Sequence, residues 1–149
     1  MKRKSAGIIL FNGDDKVLIE HPTNHDPNFW SFPKGMVDEN ETYFEAALRE
    51  CLEETSLDLS KIDYKIITEL PDITFKNKRK VLKLFVLKTN ENLYDFPFKC
   101  ESMVTKNRDG SLRDYIFPEV DDFKWVSLEE AYPLLHESQQ RAVDVIQQN

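Results

Sequence analysis

The chain has little of what several protein classes require. Only two of its 149 residues are cysteines, Cys51 and Cys100, too few for a disulfide framework or a thiolate zinc site. Both read as reduced thiols, with Cys51 as helix-core filler rather than a nucleophile. Long apolar runs are lacking: GIILF falls far short of the roughly 20 residues that a membrane span needs. The N-terminal MKRKSAG is basic but has no leader-like apolar segment or cleavage site, so a cytoplasmic protein with no membrane association is expected. Positive charge is scarce too. A net charge of −7 argues against a general nucleic-acid binder, whose non-specific affinity comes from neutralising phosphates. It leaves room for a phosphate-rich small molecule met by local cations. Basic candidates stand at Lys2, Arg3, Lys4, Lys76, Lys78, Arg79, Lys80, Arg108 and Arg113, most of them expected to be solvated surface. Repeats and low-complexity tracts are missing, and 40% hydrophobic with 32% charged residues suits one ordinary globular domain over residues 1–149.

What is present is organised around residues 35–57, GMVDENETYFEAALRECLEETSL. Thr42 with Glu45 three residues later forms a capping-box helix start. Phe44, Ala47, Leu48, Cys51 and Leu52 recur at helical spacing and are expected to form the core face, with Glu50, Glu53 and Glu54 together on the opposite side. On an exposed helix such like charges repel by only about 0.2–0.5 kcal/mol, so a solvated acidic face is the bland alternative. Partly buried, two unit charges about 4 Å apart repel by roughly 4 kcal/mol, and a divalent cation is then required. Carboxylates suit hard ions, above all Mg²⁺, which keeps several waters and accepts phosphate oxygens.

Along the rest of the chain, residues 5–11 and 16–20 flank Asn12-Gly13-Asp14-Asp15, a strong hairpin signal. Residues 21–28, with two prolines and two asparagines, read as a loop, and its His21 and His25 as surface residues rather than a metal pair. Trp30-Ser31-Phe32 is predicted to be a short strand leading to Gly35. After the helix, 62–70 is a plausible strand and 81–87 (VLKLFVL) a central one, apolar on both faces. Lys83 interrupts an apolar face there and must reach solvent, an acid or a bound phosphate, which makes it a candidate for the substrate cleft. Residues 90–114 show no clear periodicity and are expected to form a functional or mobile loop. Strands are predicted at 115–117 and 120–126. Ser127 with Glu130 caps a helix that Pro133 interrupts, and a last short helix occupies 138–148. The mixture indicates an α/β sandwich.

Gly35, Glu41, Arg49, Glu50, Glu53, Glu54 and the apolar Leu57 stand at the spacing of the Nudix box, and the chain resembles that family. Six fixed identities arise by chance on the order of 10⁻⁷ times per starting position, so the motif is specific. One position departs: Ser56 stands where the family has Gly, at the helix end, where φ > 0 costs a non-glycine residue about 1 kcal/mol. FWSFPKG at 29–35 and PEVDDFKWV at 118–126 are similar to the branch of diadenosine tetraphosphate hydrolases and RNA 5′ pyrophosphohydrolases. Residues 90–114 lie outside the resemblance.

The resemblance implies the Nudix-type α/β/α sandwich, with a mixed β-sheet between helices, and hydrolysis of a phosphoanhydride bond with Mg²⁺ as cofactor, Mn²⁺ substituting. Glu50 and Glu54 would be metal ligands, with the Gly35 carbonyl as a further one. Glu53 would be a third ligand or the base, and Glu119 a ligand or the base. Arg49 would hold Glu53, Glu41 would support the loop into the helix, and Lys34 would meet phosphate oxygens. The implied substrate is a nucleoside polyphosphate, first a dinucleoside polyphosphate such as diadenosine tetraphosphate, or else an RNA 5′ end. ADP-ribose, FAD, nucleotide sugars and a non-catalytic binding module remain alternatives. No obligate protein partner is implied.

Overall fold

The computed structural model describes residues 3–148, so Lys2 lies outside the described residues. The chain opens with an antiparallel hairpin, β1 (Arg3–Phe11) and β2 (Val17–Pro22), in which Phe11 faces Val17. Its turn forms because the Asn12 side-chain oxygen accepts from the N–H groups of Asp14 and Lys16, while Asp15 takes φ 59°. The strand expected at Trp30–Phe32 reduces to isolated bridges, Ser31 with Glu20 and Trp30 with Leu135. Pro33 has no N–H to continue a ladder. The strand proper, β3 (Lys34–Met36), follows it and pairs with residues 5–7 of β1.

Helix α1 (Tyr43–Thr55) starts at the capping box of Thr42 and Glu45, each side chain bonding the other's backbone N–H. It ends at Ser56 with φ 67°, the left-handed conformation expected there. The serine compensates for its missing glycine by donating its hydroxyl to the Lys99 carbonyl at 2.6 Å. After a 3₁₀ turn at Leu59–Lys61 come β4 (Lys65–Glu69), β5 (Ile73–Thr74) and β6 (Lys80–Lys88). Strand β6 runs parallel to the whole of β1 and carries β4 and β5 on its other edge. Residues 90–114 are less structureless than expected: Phe96 and Phe98 pack on the α1-side core, and β7 (Met103–Lys106) pairs with β8 (Leu112–Pro118) in a separate two-stranded ribbon. Strand β9 (Val120–Val126) returns to pair with β2. Helix α2 (Leu128–Ala131) gives way at Pro133 to a 3₁₀ turn, and α3 (Glu137–Gln147) closes the described chain.

The main sheet runs β4-β6-β1-β2-β9, with β3 and β5 as side branches. Alternation along the strands sends Ile8, Leu10, Phe85 and Leu87 against Ala46, Ala47 and Cys51 of α1. Ile9, Leu82, Leu84 and Val86 go to the other face, against Ala142 and Val143 of α3. This is an α/β/α sandwich around a mixed sheet. Its edge forks at β1, where residues 5–7 follow β3 and residue 11 follows β2. The fork needs Gly7: a Cβ there would stand 2.5 Å from the Pro33 carbonyl oxygen and 2.7 Å from Lys34 Cβ. Among the described residues, no helix is long and apolar enough to cross a membrane.

Candidate active site

The fork sets β3 against α1 so closely that a Cβ on Gly35 would collide with the Glu50 carboxyl group. Glycine at 35 is therefore the space in which that carboxylate sits. The expected division of α1 into a core face and a chemical face is corrected: Glu50 and Glu54 lie on the buried stripe with Ala46, Ala47 and Cys51, while Leu52 is 42% exposed. Positions 47, 50, 51 and 54 share one helical face, so the face that meets the sheet carries the two carboxylates.

Burial makes the charged form of these carboxyl groups costly. It raises the Glu50 carboxyl; Arg49 works against this, and the charges of Glu53 and Glu119 add to it. That places Glu119 within electrostatic reach of Glu50. Glu54 is pushed by burial up to about 7, and the charge of Glu50 adds to the rise. Its Oε1 accepts the Lys34 backbone N–H at 3.0 Å. Glu53, 43% exposed at its side chain, is the most open of the three.

Arg49 ties the cluster together. Its Nε and Nη2 grip Glu41 at 2.8 and 3.0 Å, its Nη1 donates to Glu50 at 2.9 Å and to Glu53 at 3.2 Å, and Nη2 also reaches the Met36 carbonyl. These bonds hold the guanidinium charged far above any working pH. Glu41 in turn accepts the Asp38 N–H at 2.9 Å, bracing the loop between β3 and α1.

One acidic residue escaped the sequence reading. Glu20 on β2, 3% exposed, faces Glu54, and burial followed by the charge of Glu54 raises its carboxyl well above the ordinary range. Among the described residues its Oε1 has no hydrogen-bond partner. The available signal was a glutamate ending the apolar run KVLIE, a position that should otherwise be apolar. The donor set fits a divalent cation: buried, crowded oxygen ligands with one buried oxygen unsatisfied. Among the described residues no three such side chains already meet at one point. Glu50 instead accepts from Arg49 and Glu54 from Lys34.

On the α3 side of the fork lies a cleft of about 370 Å³ whose lining includes Lys34, Lys80, His25, Phe29, Phe75 and His136. His25 stacks on Phe29 and Phe75 on His136, at 5.3 and 5.4 Å between ring centroids. Burial lowers the His136 pKa, and the cations of Lys34, Lys80 and Arg141 lower it further against the opposing pull of Glu137. Lys83 is not brought to this cleft. Period-two alternation points it to the opposite face from Lys80 and Leu82, where Nζ pairs with Glu69 at 3.1 Å and Asp72 at 3.0 Å. His21, in the same loop as His25, is bonded to Asp121 and the Asp26 carbonyl. Burial pushes the Cys51 thiol up to about 12, which leaves no thiolate for nucleophilic attack.

A family model described as the NUDIX domain matches residues 1–148. An RNA pyrophosphohydrolase of Pelagibacter ubique is 31% identical over 139 residues, which cover 85% of this chain and 77% of that protein. One of Psychrobacter is 31% identical over 144 residues, covering 89% and 73%. Alignment with the Wolbachia relative of Brugia malayi is shorter, 42% identical over 60 residues, 40% of this chain and 37% of that one. Among solved structures, a C. elegans Ap4A hydrolase binary complex superposes with TM-score 0.63 at 20% identity, covering 93% of this chain and 91% of that one. The NUDIX domain of Shewanella oneidensis NrtR, complexed with ADP ribose, gives 0.66 at 16%, covering 99% and 88%. These two likenesses speak for the fold alone. With the family model spanning nearly the whole chain and the box residues gathered at one fork of the sheet, the chain belongs to the Nudix hydrolase family.

Proposed function

We propose that this chain is a Mg²⁺-dependent pyrophosphohydrolase that cleaves a phosphoanhydride bond in the polyphosphate at an RNA 5′ end. The observation that carries the reading is the junction at β3. The Lys34 backbone binds Glu54 on the acidic side, and its side chain lines the cationic, aromatic cleft on the other. A substrate must therefore present phosphates at the carboxylates and a flat or anionic group in the cleft. The Pelagibacter and Psychrobacter relatives support RNA as the bearer of those phosphates. A dinucleoside polyphosphate such as diadenosine tetraphosphate is the second reading, favoured by the two stacked aromatic pairs lining one cleft.

In this reading Glu50, Glu54 and the Gly35 carbonyl would hold the metal, with Glu53 or Glu119 as a further ligand. A bound Mg²⁺, or Mn²⁺ in its place, supplies positive charge to the phosphate oxygens and makes water more acidic. Arg49 keeps Glu50 and Glu53 in fixed rotamers. The water oxygen bonds to phosphorus, the bond from phosphorus to the bridging oxygen breaks, and Glu53 or Glu119 takes the water proton. Lys34 and Lys80 bind non-bridging oxygens. All box glutamates are in place, which supports catalysis over a binding module. The test is a panel of 5′-triphosphorylated RNA, diadenosine tetraphosphate, ADP-ribose, FAD and a nucleotide sugar with Mg²⁺, products resolved by chromatography. The RNA end is expected to turn over at least tenfold faster than ADP-ribose in kcat/KM; equal values reject the reading.

A further inference from the structure

We propose that the β7–β8 ribbon is a surface for single-stranded RNA, receiving the nucleotides that follow a 5′ end seated at the glutamates. The inference rests on the substrate reading above and extends it beyond the phosphates.

Three observations carry it. First, the ribbon is rooted in the site on both sides. The chain entering it bonds α1 through Glu101 N–H to the Glu53 carbonyl at 2.8 Å, and the chain leaving it is Glu119, whose N–H closes the base on the Ser102 carbonyl at 2.9 Å. The base of the ribbon therefore adjoins the backbone of two candidate site residues, Glu53 and Glu119.

Second, the ribbon contributes no residue to either buried core cluster among the described residues, yet it is not polar. Tyr115 is 73% exposed, Leu112 77% and Ile116 52%. Arg113, Tyr115 and Phe117 share one face of β8 by alternation. Tyr115 and Phe117 lie nearly parallel, with centroids 6.2 Å apart, and the Arg113 guanidinium stands 4.8 Å over the Phe117 ring. Phe117 and Arg113 are half-buried, so Tyr115 is the open ring, and an exposed aromatic ring backed by a second ring and an arginine is a surface on which an unpaired base stacks.

Third, the local charge opposes that of the whole. In a chain of net charge −7, residues 103–118 carry Lys106, Arg108 and Arg113 against Asp109 and Asp114. The Asp109 carboxylate accepts from the Ser111 N–H and hydroxyl in the turn, which keeps it ionised. The rival occupant is a second copy pairing along the ribbon edges; the three ribbon cations, one more than its anions, favour a polyanion instead.

The primary test is fluorescence anisotropy with a 3′-labelled ten-nucleotide RNA bearing a 5′-hydroxyl, which offers the glutamates no polyphosphate. Wild type is expected to bind it in low salt, with Tyr115→Ala and Arg113→Ala each weakening binding by about tenfold. Affinity should also fall as salt rises. In parallel, kcat/KM is compared for a 5′-triphosphorylated ten-mer and a 5′-triphosphorylated dinucleotide; the ratio is expected to be about ten in wild type and near one in both variants. Absent oligomer binding, or binding equal in wild type and variants, overturns the proposal. Sedimentation showing a dimer that dissolves in Tyr115→Ala, without oligomer binding, overturns it in favour of the second copy. If neither triphosphorylated RNA is hydrolysed, the functional reading fails, and the 5′-hydroxyl oligomer still decides the ribbon.

Discussion

Removing divalent cations should make this protein lose stability as pH rises from 5.5 to 8.5, opposite to the usual behaviour of a carboxylate held by salt bridges. The cause is Glu54, raised by burial from an ordinary value of 4.5 to about 7, beside Glu20, raised in the same direction. A carboxyl whose folded-state pKa lies above its unfolded value binds its proton more tightly when folded. Its stabilisation is fully present below about pH 4.5 and is lost as pH climbs through about 7. At 1.36 kcal/mol per unit, the loss attributable to Glu54 is about 3 kcal/mol in all, of which about 2 kcal/mol falls between pH 5.5 and 8.5, still a large part of a small domain's stability.

The assay is urea unfolding at pH 5.5, 6.5, 7.5 and 8.5 in EDTA, for wild type and Glu54→Gln. Acids whose pKa values are lowered, such as Glu41, held by Arg49, finish titrating below this window. Two histidines are shifted as well. His21 is raised, its bonds to Asp121 and Asp26 outweighing burial; His136 is lowered, chiefly by burial, so the two oppose each other. The difference between wild type and Glu54→Gln removes them. Saturating Mg²⁺ should reverse the trend, since the ion selects the ionised pair; a ligand at 100 times its Kd adds about 2.7 kcal/mol. Stability in EDTA that is flat or rising over the window, or an equal fall in Glu54→Gln, would refute the reasoning.

Glu50→Gln should leave the urea midpoint within the range of a mild mutation while cutting kcat by about 10²-fold or more, because an amide is a poor ligand for a hard cation; near-wild-type turnover at saturating Mg²⁺ would count against the site. Gly35→Ala is expected to push the Glu50 carboxyl from its seat and lower kcat/KM by about 10²-fold with little change in Tm, checked by kinetics alongside calorimetry. Lys80→Ala should raise KM for a triphosphorylated substrate by about tenfold or more, as loss of one charge-assisted contact does. Lys83→Ala, which breaks the pairs with Glu69 and Asp72, should leave KM alone; the reverse pattern would move the cleft to the other face of the sheet.

Much of this was legible in the sequence because the signals were local. The capping boxes at Thr42 and Ser127, the left-handed Ser56 and the Asn12 turn each depend on residues a few positions apart, and each forms as read. What escaped depends on register. Lys83 and Lys80 look equivalent in KVLKLFVLK, and only the pairing of β6 with β1 decides which meets the cleft. Glu20 escaped because its partner Glu54 is 34 residues away and the two meet across the sheet–helix interface. Of the β7–β8 ribbon only residues 115–117 read as strand in the sequence; β7 and the start of β8 escaped because they are largely exposed and lack apolar alternation.

Strand parity also shows how an acidic protein can be built to take a polyanion. Carboxylates and phosphates repel, so a site lined by both glutamates and lysines on one surface would neutralise itself by internal ion pairs, as Lys83 does with Glu69 and Asp72. Here the sheet keeps most of the opposite charges apart. Glu20, Glu50 and Glu54 lie on the α1 side, and Lys34, Lys80 and Arg141 act together on His136 on the α3 side. Among the described residues Arg49 stands amid the carboxylates, but Glu41, Glu50, Glu53 and the Met36 carbonyl take up its donors, and the Lys34 charge reaches Glu54 from the β3 edge. The two surfaces meet at the β3 edge, where Gly7 and Gly35 let backbone and carboxylate approach closely. A phosphate chain crossing that edge can meet lysines at one end and, once a divalent ion has offset the glutamates, a metal at the other. Adding a lysine among the glutamates should therefore weaken catalysis rather than strengthen it, since it would pair with them before any substrate arrived.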